Sequence, residues 1–262
     1  MSFNQKLIET AEKNKSILCL GIDPVLEEIP LKEQSPEKKI LDFYAKIIDA
    51  THNNISAVKP NYAYFAQYGF AGLRALKKII AYSKNKKLIV ILDAKRGDIG
   101  KSSFAYAREA FEFWKADAVT VSPYMGTDSV QPFLDYAKKE KGAYVLCRTS
   151  NPGALDFQDK IAVDVAKKIA EWKCGAVVGA TNMPELRKIS EILNGAPMLI
   201  PGVGSQGGNA RETAEALNEK GDLRMHRINS SSGIALAYKI HGGEFAEAAL
   251  NEVIKLNRDI GL

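Results

Sequence analysis

The stretch LIVILDAKRGDIG, residues 88–100, decides the fold. Its first five residues are apolar without alternation, which is typical of a strand buried on both faces of a parallel sheet. Charged residues follow directly, and Asp93 and Lys95 lie two positions apart. Side chains at this spacing in a strand point to the same face, toward a barrel axis if Ile89 and Ile91 share that face. The stretch therefore predicts a parallel strand with ionic groups at its carboxyl end.

Seven similar runs occur along the chain, and a helix-like segment follows each of them. Together with residues 87–95, the candidate strands are residues 16–23, 55–61, 118–124, 143–150, 174–180, 196–203 and 226–232. Their carboxyl ends recur about every thirty residues, a normal length for one strand and its helix. Segments such as EKKILDFYAKIIDATHN (37–53) lie between them, and their apolar residues recur with helical spacing.

Eight such units without a linker predict an α/β fold, a (β/α)8 TIM barrel that forms a single domain over residues 1–262. A doubly wound open sheet is the alternative. No Ser/Gly-rich boundary or low-complexity segment divides the chain, and we interpret Pro24–Pro36 as a long loop after the first strand.

Composition and charge limit the classes of function. The 36 Lys and Arg residues exceed the 31 Asp and Glu residues, for a net charge of +5. These charges are interspersed, without a basic stripe that carries aromatic residues, so the pattern argues against nucleic-acid binding. The polar N-terminus lacks a signal-peptide core and no apolar run has membrane-spanning length, so we expect a cytoplasmic protein that does not bind membranes. The three Cys and three His residues are scattered, which predicts reduced core thiols and no zinc site.

Polar residues interrupt several strands at their carboxyl ends, where barrel enzymes build active sites. These residues are Asp23, Lys59, Asp93, Lys95, Ser150 and the glycine-rich segment after Pro201. Lys59 ends the strand before Asp93, so we expect four ions of alternating charge, completed by Asp98, in one pocket. A buried structural salt bridge is the alternative. It explains four ions poorly, because desolvating each ion costs several kcal/mol.

Residues 93–100, DAKRGDIG, match the DxKxxD signature of the orotidine-monophosphate decarboxylase family. Four further blocks resemble the longer bacterial branch of that family and occur in the same order. They are VKPNYAYFAQYG (58–69), VLCRTSNPGALDFQ (145–158), IPGVGSQGG (200–208) and INSSSGI (228–234). DxKxxD is shared with sister sugar-phosphate decarboxylases and synthases, whereas the LCRTSNPGA block is much more specific. Because the resemblance extends from about Leu18 to Tyr238, the chain is identified as a member of this family.

The resemblance implies a lyase that needs no metal or cofactor and decarboxylates orotidine 5'-monophosphate to UMP and CO2 in pyrimidine biosynthesis. It assigns Asp23 and Lys59 to the ribose hydroxyls, with Lys59 also anchoring Asp93. Asp93 is expected beside the substrate carboxylate, and Lys95 is expected to stabilise the C6 carbanion and then protonate it. A fixed ammonium suits this chemistry, because loss of CO2 leaves negative charge at C6 with little delocalisation.

The remaining assignments concern a partner subunit and the rest of the substrate. The resemblance implies a homodimer with shared active sites, to which the partner contributes Asp98, Ile99 and Ser102. Ser150 is expected to contact the pyrimidine edge, and Gln206 with nearby backbone amides to bind the phosphate. The substrate-binding residues expected around the phosphate are Pro201, Gln206, Gly207, Ser232 and Gly233.

The segment GVGSQG (202–207) also matches the GxGxxG dinucleotide fingerprint, and Asp222 lies near the spacing expected of its acidic residue. Too few residues follow Gly202 to form the rest of a dinucleotide-binding fold. We therefore interpret the segment as a phosphate-binding loop after the seventh strand, where barrels often place one.

Ser232 departs from the family, whose last block normally reads NSSRG with the Arg pairing the substrate phosphate. A charge-assisted contact is therefore missing from its expected place. Arg227 lies on the opposite strand face, about 16 Å away along the strand, and is not expected to replace it.

Two rival hypotheses remain beside the decarboxylase. One is a sister-family decarboxylase or synthase that acts on a sugar phosphate, usually with Mg²⁺, and the SNPGA sequence at 150–154 argues against it. The other is an impaired barrel that binds nucleotides without turnover, which the departure at Ser232 motivates.

Overall fold

A computed structural model describes residues 1–32, 35–203 and 207–261. Eight parallel strands pair in chain order, and the last pairs with the first to close a barrel. The strands are β1 Leu18–Ile22, β2 Ala57–Pro60, β3 Ile89–Arg96, β4 Ala118–Val121, β5 Gly142–Arg148, β6 Gly175–Val178, β7 Met198–Ile200 and β8 Arg227–Ser230. Each strand falls inside a run predicted from the sequence or extends beyond it by one residue. The expected (β/α)8 TIM barrel is confirmed, and the alternative of an open sheet is wrong.

The helix α1 precedes the first strand, and at least one helix follows every strand. The helices are α1 Phe3–Asn14, α2 Pro36–Thr51, α3 Tyr62–Ala66, α4 Gly69–Asn85, α5 Gly100–Arg108, α6 Thr127–Leu134, α7 Ala154–Trp172, α8 Met183–Leu193, α9 Ala210–Asn218, α10 Ser232–Ala235, α11 Tyr238–His241 and α12 Phe245–Ile260. Short 3-10 turns occur at Leu26–Glu28, Asp135–Lys139 and Leu223–Met225, and a π-helical turn occupies Glu109–Phe113.

The expected long loop after β1 ends where α2 begins. Ser35 is the N-cap of α2, its hydroxyl accepts a hydrogen bond from the backbone N–H of Lys38, and Pro36 follows in the first turn. Both residue types suit the start of a helix. The Ser hydroxyl accepts a hydrogen bond from a backbone N–H that has no partner within the helix, and Pro has no N–H that would need a partner. The loop also contains the 3-10 turn Leu26–Glu28.

Two apolar layers form the core. The inner layer fills the barrel with inward side chains of the strands and with residues of α1, which covers the amino ends of the strands. Its buried members are Phe3, Leu7, Cys19, Ala57, Ile89, Ile91, Ala118, Tyr144, Val177 and Leu199. The outer layer packs strand residues such as Leu20 and Val58 against helix residues such as Phe43. Strand residues therefore meet an apolar layer on either face, which explains the unbroken apolar runs.

Candidate active site

A cavity of about 500 Å³ lies at the carboxyl ends of the strands. Seven of the residues singled out in the sequence line it: Asp23, Lys59, Asp93, Lys95, Ser150, Pro201 and Ser232. Apolar side chains, among them Val25, Ile29, Phe43 and Leu236, contribute to the walls. The cavity thus occupies the end of the barrel where enzymes of this architecture build their active sites.

Three of the expected ionic residues meet in this cavity. The Nζ atom of Lys59 lies 2.8 Å from Oδ2 of Asp93, and the Nζ atom of Lys95 lies 2.7 Å from Oδ1 of the same carboxylate. The side chains of Lys59 and Asp93 are buried, whereas that of Lys95 is 49% exposed. Lys95 is therefore the ammonium of the two that remains accessible to a bound molecule.

The ionic state of this cluster follows from the competition between burial and charge. Burial alone would raise the pKa of Asp93, but the ammonium groups of Lys59 and Lys95 outweigh it and hold that pKa well below its ordinary value. Burial would likewise lower the pKa of Lys59, but the carboxylates of Asp93 and Asp23 raise it above its ordinary value. Asp93 and Lys59 are therefore both charged at neutral pH.

Lys95 has an unusual backbone conformation that Thr120 supports. Its φ of 45° lies in the left-handed region, which a residue with a Cβ atom adopts only when neighbouring contacts hold it there. The Thr120 hydroxyl accepts a hydrogen bond from the Lys95 N–H at 2.9 Å and donates one to Oδ1 of Asp93 at 2.9 Å. Thr120 was not among the residues predicted from the sequence. The available signal was a hydroxyl in an apolar strand, two positions after the inward-facing Ala118.

The three residues expected to act from a partner subunit do not line the cavity of their own chain. Asp98 follows the end of β3, where its carboxylate accepts a hydrogen bond from the Ile99 N–H at 2.8 Å. Ser129 donates to the backbone carbonyl of Asp98 at 2.6 Å, which ties this loop to α6. Ile99 is 59% exposed, and Ser102 is exposed near the start of α5. The chain itself therefore brings together three of the four expected ions, without Asp98.

The walls around the ionic cluster carry further polar groups. The Oδ1 atom of Asp23 is buried, as is Oδ1 of Asn229, and no described residue donates a hydrogen bond to either atom. Both residues line the cavity, although the sequence analysis did not single out Asn229. The loop that carries Ser150 is tied to α7, because Oε1 of Gln158 accepts hydrogen bonds from the N–H of Thr149 at 2.7 Å and from its hydroxyl at 3.0 Å.

The residues expected around a phosphate are only partly described. Pro201 and Ser232 line the cavity, whereas Gly207 and Gly233 do not. Gln206 lies outside the described residues. Gly207 has φ +88°, a conformation that favours glycine, so its residue type suits the backbone here.

Comparison with known protein families gives a match over most of the chain. A sequence profile described as the orotidine 5'-phosphate decarboxylase / HUMPS family matches residues 16–239. The chain belongs to this family. The family expected from the sequence, and the enzyme class of carboxy-lyase, are confirmed.

Relatives in the orotidine 5'-phosphate decarboxylase family match nearly the whole chain. The orotidine 5'-phosphate decarboxylase of Herpetosiphon aurantiacus is 42% identical over 259 residues, covering 94% of this chain and 93% of that protein. The protein of the same name from Cellvibrio japonicus is 41% identical, covering 100% of this chain and 99% of the relative. The solved structure of Leishmania donovani OMP decarboxylase is 32% identical, with a TM-score of 0.81 and full coverage of both chains.

Arg227, the arginine nearest in the sequence to Ser232, does not line the cavity. Its guanidinium is fully buried and donates hydrogen bonds to the backbone carbonyls of Leu7, Arg224 and His226 at 2.6–2.9 Å. These carbonyls lie at the amino-terminal end of the barrel, beside α1. The Arg227 side chain therefore lies at the end of the barrel opposite the cavity.

Other side chains singled out in the sequence lie outside the cavity. Cys19, Cys147 and Cys174 are buried and form no disulfide, and burial raises the pKa of each thiol to about 12.

Across the described residues, no cluster of His, Cys, Asp and Glu is arranged to hold a metal ion. Within the same residues, no helix has both the length and the apolar character needed to cross a membrane.

Proposed function

We propose that the chain decarboxylates orotidine 5'-monophosphate to UMP and CO2 in pyrimidine biosynthesis. The observation that carries the proposal is the chain of ion pairs from Lys59 through Asp93 to Lys95 inside the barrel cavity. The two bacterial relatives that match nearly the whole chain are named for this activity.

Lys95 is the group proposed to act on the reacting carbon. When the bond between C6 and the carboxylate breaks, CO2 leaves and the electron pair stays on C6. An ammonium fixed beside C6 stabilises this charge without having to reorganise during the reaction. A proton then moves from Nζ of Lys95 to C6 and gives UMP. Lys59 is a poorer candidate, because it is buried and paired with Asp93.

Asp93 is proposed to serve the reaction in two ways. Its Oδ1 atom holds the ammonium of Lys95 in position at 2.7 Å and favours its charged form. Because its own pKa is strongly lowered, Asp93 stays ionised beside the substrate carboxylate. Repulsion between the two carboxylates destabilises the bound substrate more than the transition state, from which neutral CO2 is departing.

The other cavity residues are proposed to hold the substrate. Asp23 and Lys59 contact the ribose hydroxyls in this proposal, and the unpaired buried oxygen of Asp23 suits a hydroxyl donor. Ser150 contacts the pyrimidine edge. The phosphate lies among Pro201, Gln206, Gly207, Ser232 and Gly233, and is held chiefly by Gln206 and backbone amides.

A homodimer is part of the proposal, because Asp98, Ile99 and Ser102 lie outside the cavity of their own chain. Exposed apolar side chains near them suit an interface: Ile99 and Phe104 after β3, and Tyr124 and Met125 after β4. The two loops are neighbours, since Ser129 of α6 bonds the carbonyl of Asp98. A second copy on this surface brings its Asp98, Ile99 and Ser102 to the cavity.

The three buried free thiols suit a reducing compartment, and we place the enzyme in the cytoplasm.

The proposal is tested by adding purified protein to orotidine 5'-monophosphate, following the loss of substrate absorbance in the ultraviolet and identifying UMP by chromatography. We expect turnover at the same rate with and without EDTA, since the proposed reaction uses no metal or cofactor. Binding of the nucleotide without turnover would instead indicate the impaired barrel. Turnover of a sugar phosphate alone, dependent on Mg²⁺, would indicate the sister-family activity.

A further inference from the structure

We infer that Arg96, which does not line the cavity, is a positioning residue for Lys95. Its side chain clamps the carboxyl end of β3 in the irregular conformation that brings Lys95 to Asp93. The inference rests on the proposed function, because it assigns Arg96 a role through Lys95.

The irregularity of β3 lies where the strand supplies its ionic residues. Leu92 pairs with Val119 on β4. The next pairing joins Arg96 to Val121, so four positions of β3 span two positions of β4. Lys95 lies within this bulge and has a φ of 45°. A bulge redirects side chains. Here it also places Lys95 in a left-handed backbone conformation, which costs free energy for a residue with a Cβ atom.

Contacts on the cavity side fix only part of the bulge. The Lys95 N–H donates to the Thr120 hydroxyl, and the Lys95 ammonium pairs with Asp93. The side chain of the next residue, Arg96, points away from the cavity and lies between α3 and α5. A second set of contacts therefore acts on the bulge from outside the barrel.

The Arg96 guanidinium is held in two directions. Its central carbon lies 4.4 Å from the ring centroid of Tyr62 and 4.6 Å from that of Tyr106. Its Nη2 atom lies 2.9 Å from both carboxylate oxygens of Glu109. The indole N–H of Trp114 donates to the same carboxylate at 2.9 Å and fixes it in turn. A lysine cannot reproduce this arrangement, because its ammonium has no plane that could lie against the two tyrosine rings.

The contacts of Arg96 also involve its own backbone and a distorted part of a helix. The carbonyl of Arg96 accepts a hydrogen bond from the Ser122 N–H at 2.7 Å, which anchors the end of β3 to the segment after β4. Glu109 begins the π-helical turn Glu109–Phe113, and such turns occur frequently at functional sites. With only 15% of its side chain exposed, Arg96 has little freedom, so it fixes the backbone of the residue before it.

Arg96→Lys tests the inference, and Arg224→Lys is the matched control. Arg224 likewise pairs with a carboxylate, that of Asp222 at 2.8 and 2.7 Å, but lies at the amino-terminal end of the barrel. We expect Arg96→Lys to lower kcat for orotidine 5'-monophosphate by about tenfold to a hundredfold, since small displacements of a reacting group are costly. KM should change by less than about twofold, because the substrate contacts remain. The control should keep the wild-type kcat.

Amide hydrogen exchange separates positioning from general stability. In Arg96→Lys, exchange at the Lys95 amide should accelerate by about tenfold or more, as expected for a local opening. The Ala176 amide, which donates to the Pro197 carbonyl between the neighbouring strands β6 and β7, should keep its wild-type exchange rate. Equal acceleration at both amides, or an unchanged kcat in an active enzyme, would overturn the inference and leave the proposed function standing. An inactive wild-type protein would overturn the proposed function, and exchange at Lys95 would still test the clamp.

Discussion

The Nζ atom of Lys95 lies 2.7 Å from Oδ1 of Asp93, which precedes it by two positions in the same strand. The second oxygen of Asp93 is occupied by Lys59 at 2.8 Å. Asp93 is therefore held between two ammonium groups, of which only that of Lys95 is substantially exposed. In the proposed reaction this arrangement orients the proton donor and places a permanent negative charge beside the leaving carboxylate.

Thr120→Val should lower kcat by about tenfold or more, because it leaves the Lys95 N–H without its partner and removes a donor to Asp93, losses worth about 1–3 kcal/mol. Thr120→Ser keeps the hydroxyl and should retain most of the activity. Steady-state kinetics of the two variants provide the comparison. Activity that is kept in Thr120→Val but lost in Thr120→Ser, which lacks the methyl group, would show that packing matters and that the hydroxyl does not position Lys95.

Mixed dimers test whether Asp98 acts across an interface. Lys95→Ala and Asp98→Ala should each be inactive, but random mixing of the two should restore about a quarter of the wild-type activity, since one site of each mixed dimer carries neither change. The control mixes Lys95→Ala with the Lys95→Ala/Asp98→Ala double variant, in which every site lacks Lys95. If mixed dimers form by mass spectrometry and no activity returns, Asp98 does not serve the partner's site.

His226 should make the protein less stable as the pH falls from about 6.5 to about 4. Burial, and then the charge of Arg227, lower the pKa of His226 from 6.5 to about 4 in the folded chain. Between these values the unfolded chain binds a proton that the folded chain does not, so the free energy of unfolding decreases as the pH falls. The full difference is of order 3 kcal/mol, because one pKa unit corresponds to about 1.4 kcal/mol.

Urea unfolding at several pH values measures this loss of stability. His226→Asn offers an oxygen in place of the Nδ1 atom that accepts the Met198 N–H at 3.1 Å, but it cannot titrate. The variant should lose much of the dependence on pH between about 4 and 6.5. An equally steep dependence in the variant would assign it to other groups.

Ser232→Arg should raise kcat/KM for orotidine 5'-monophosphate by about tenfold or more, since a charge-assisted hydrogen bond is worth at least about 1.5 kcal/mol. Ser232 lines the cavity, and in the proposed function an Arg at this position would meet the substrate phosphate. Phosphate binding can drive closure of a loop and so assist a bond that breaks elsewhere. The gain should shrink for orotidine, which lacks the phosphate. Equal gains for both substrates, or none, would place Ser232 away from the phosphate.

The barrel and the direction of Asp93 could be predicted because both depend on local patterns. Ile89 and Ile91 belong to the inner layer of the core, so the alternation of a strand carries Asp93 to the same inner face. Lys95 reaches the cavity as predicted, but it does so through the bulge between Leu92 and Arg96. Lys59 could be placed beside them because consecutive strands of a barrel are neighbours.

The support around Lys95 could not be predicted in the same way. A bulge in β3 and the left-handed backbone of Lys95 depend on contacts with other strands and helices. The clamp on Arg96 combines Tyr62, Tyr106 and Glu109, which are separated in the sequence and meet only in the folded chain. Asp98 was expected with the other ions, but β3 ends at Arg96 and the following loop leaves the cavity.

The rate of orotidine 5'-monophosphate decarboxylation by Lys95→Ala, beside the wild-type rate, tests the central claim most directly. Binding of UMP to the variant, measured by calorimetry, checks that its site remains folded. The account predicts UMP binding with decarboxylation reduced by more than about a hundredfold, because a preorganised charge at the reacting centre is typically worth about 10²–10³ in rate. A folded variant that keeps more than about a hundredth of the wild-type rate would contradict the role of Lys95 at C6.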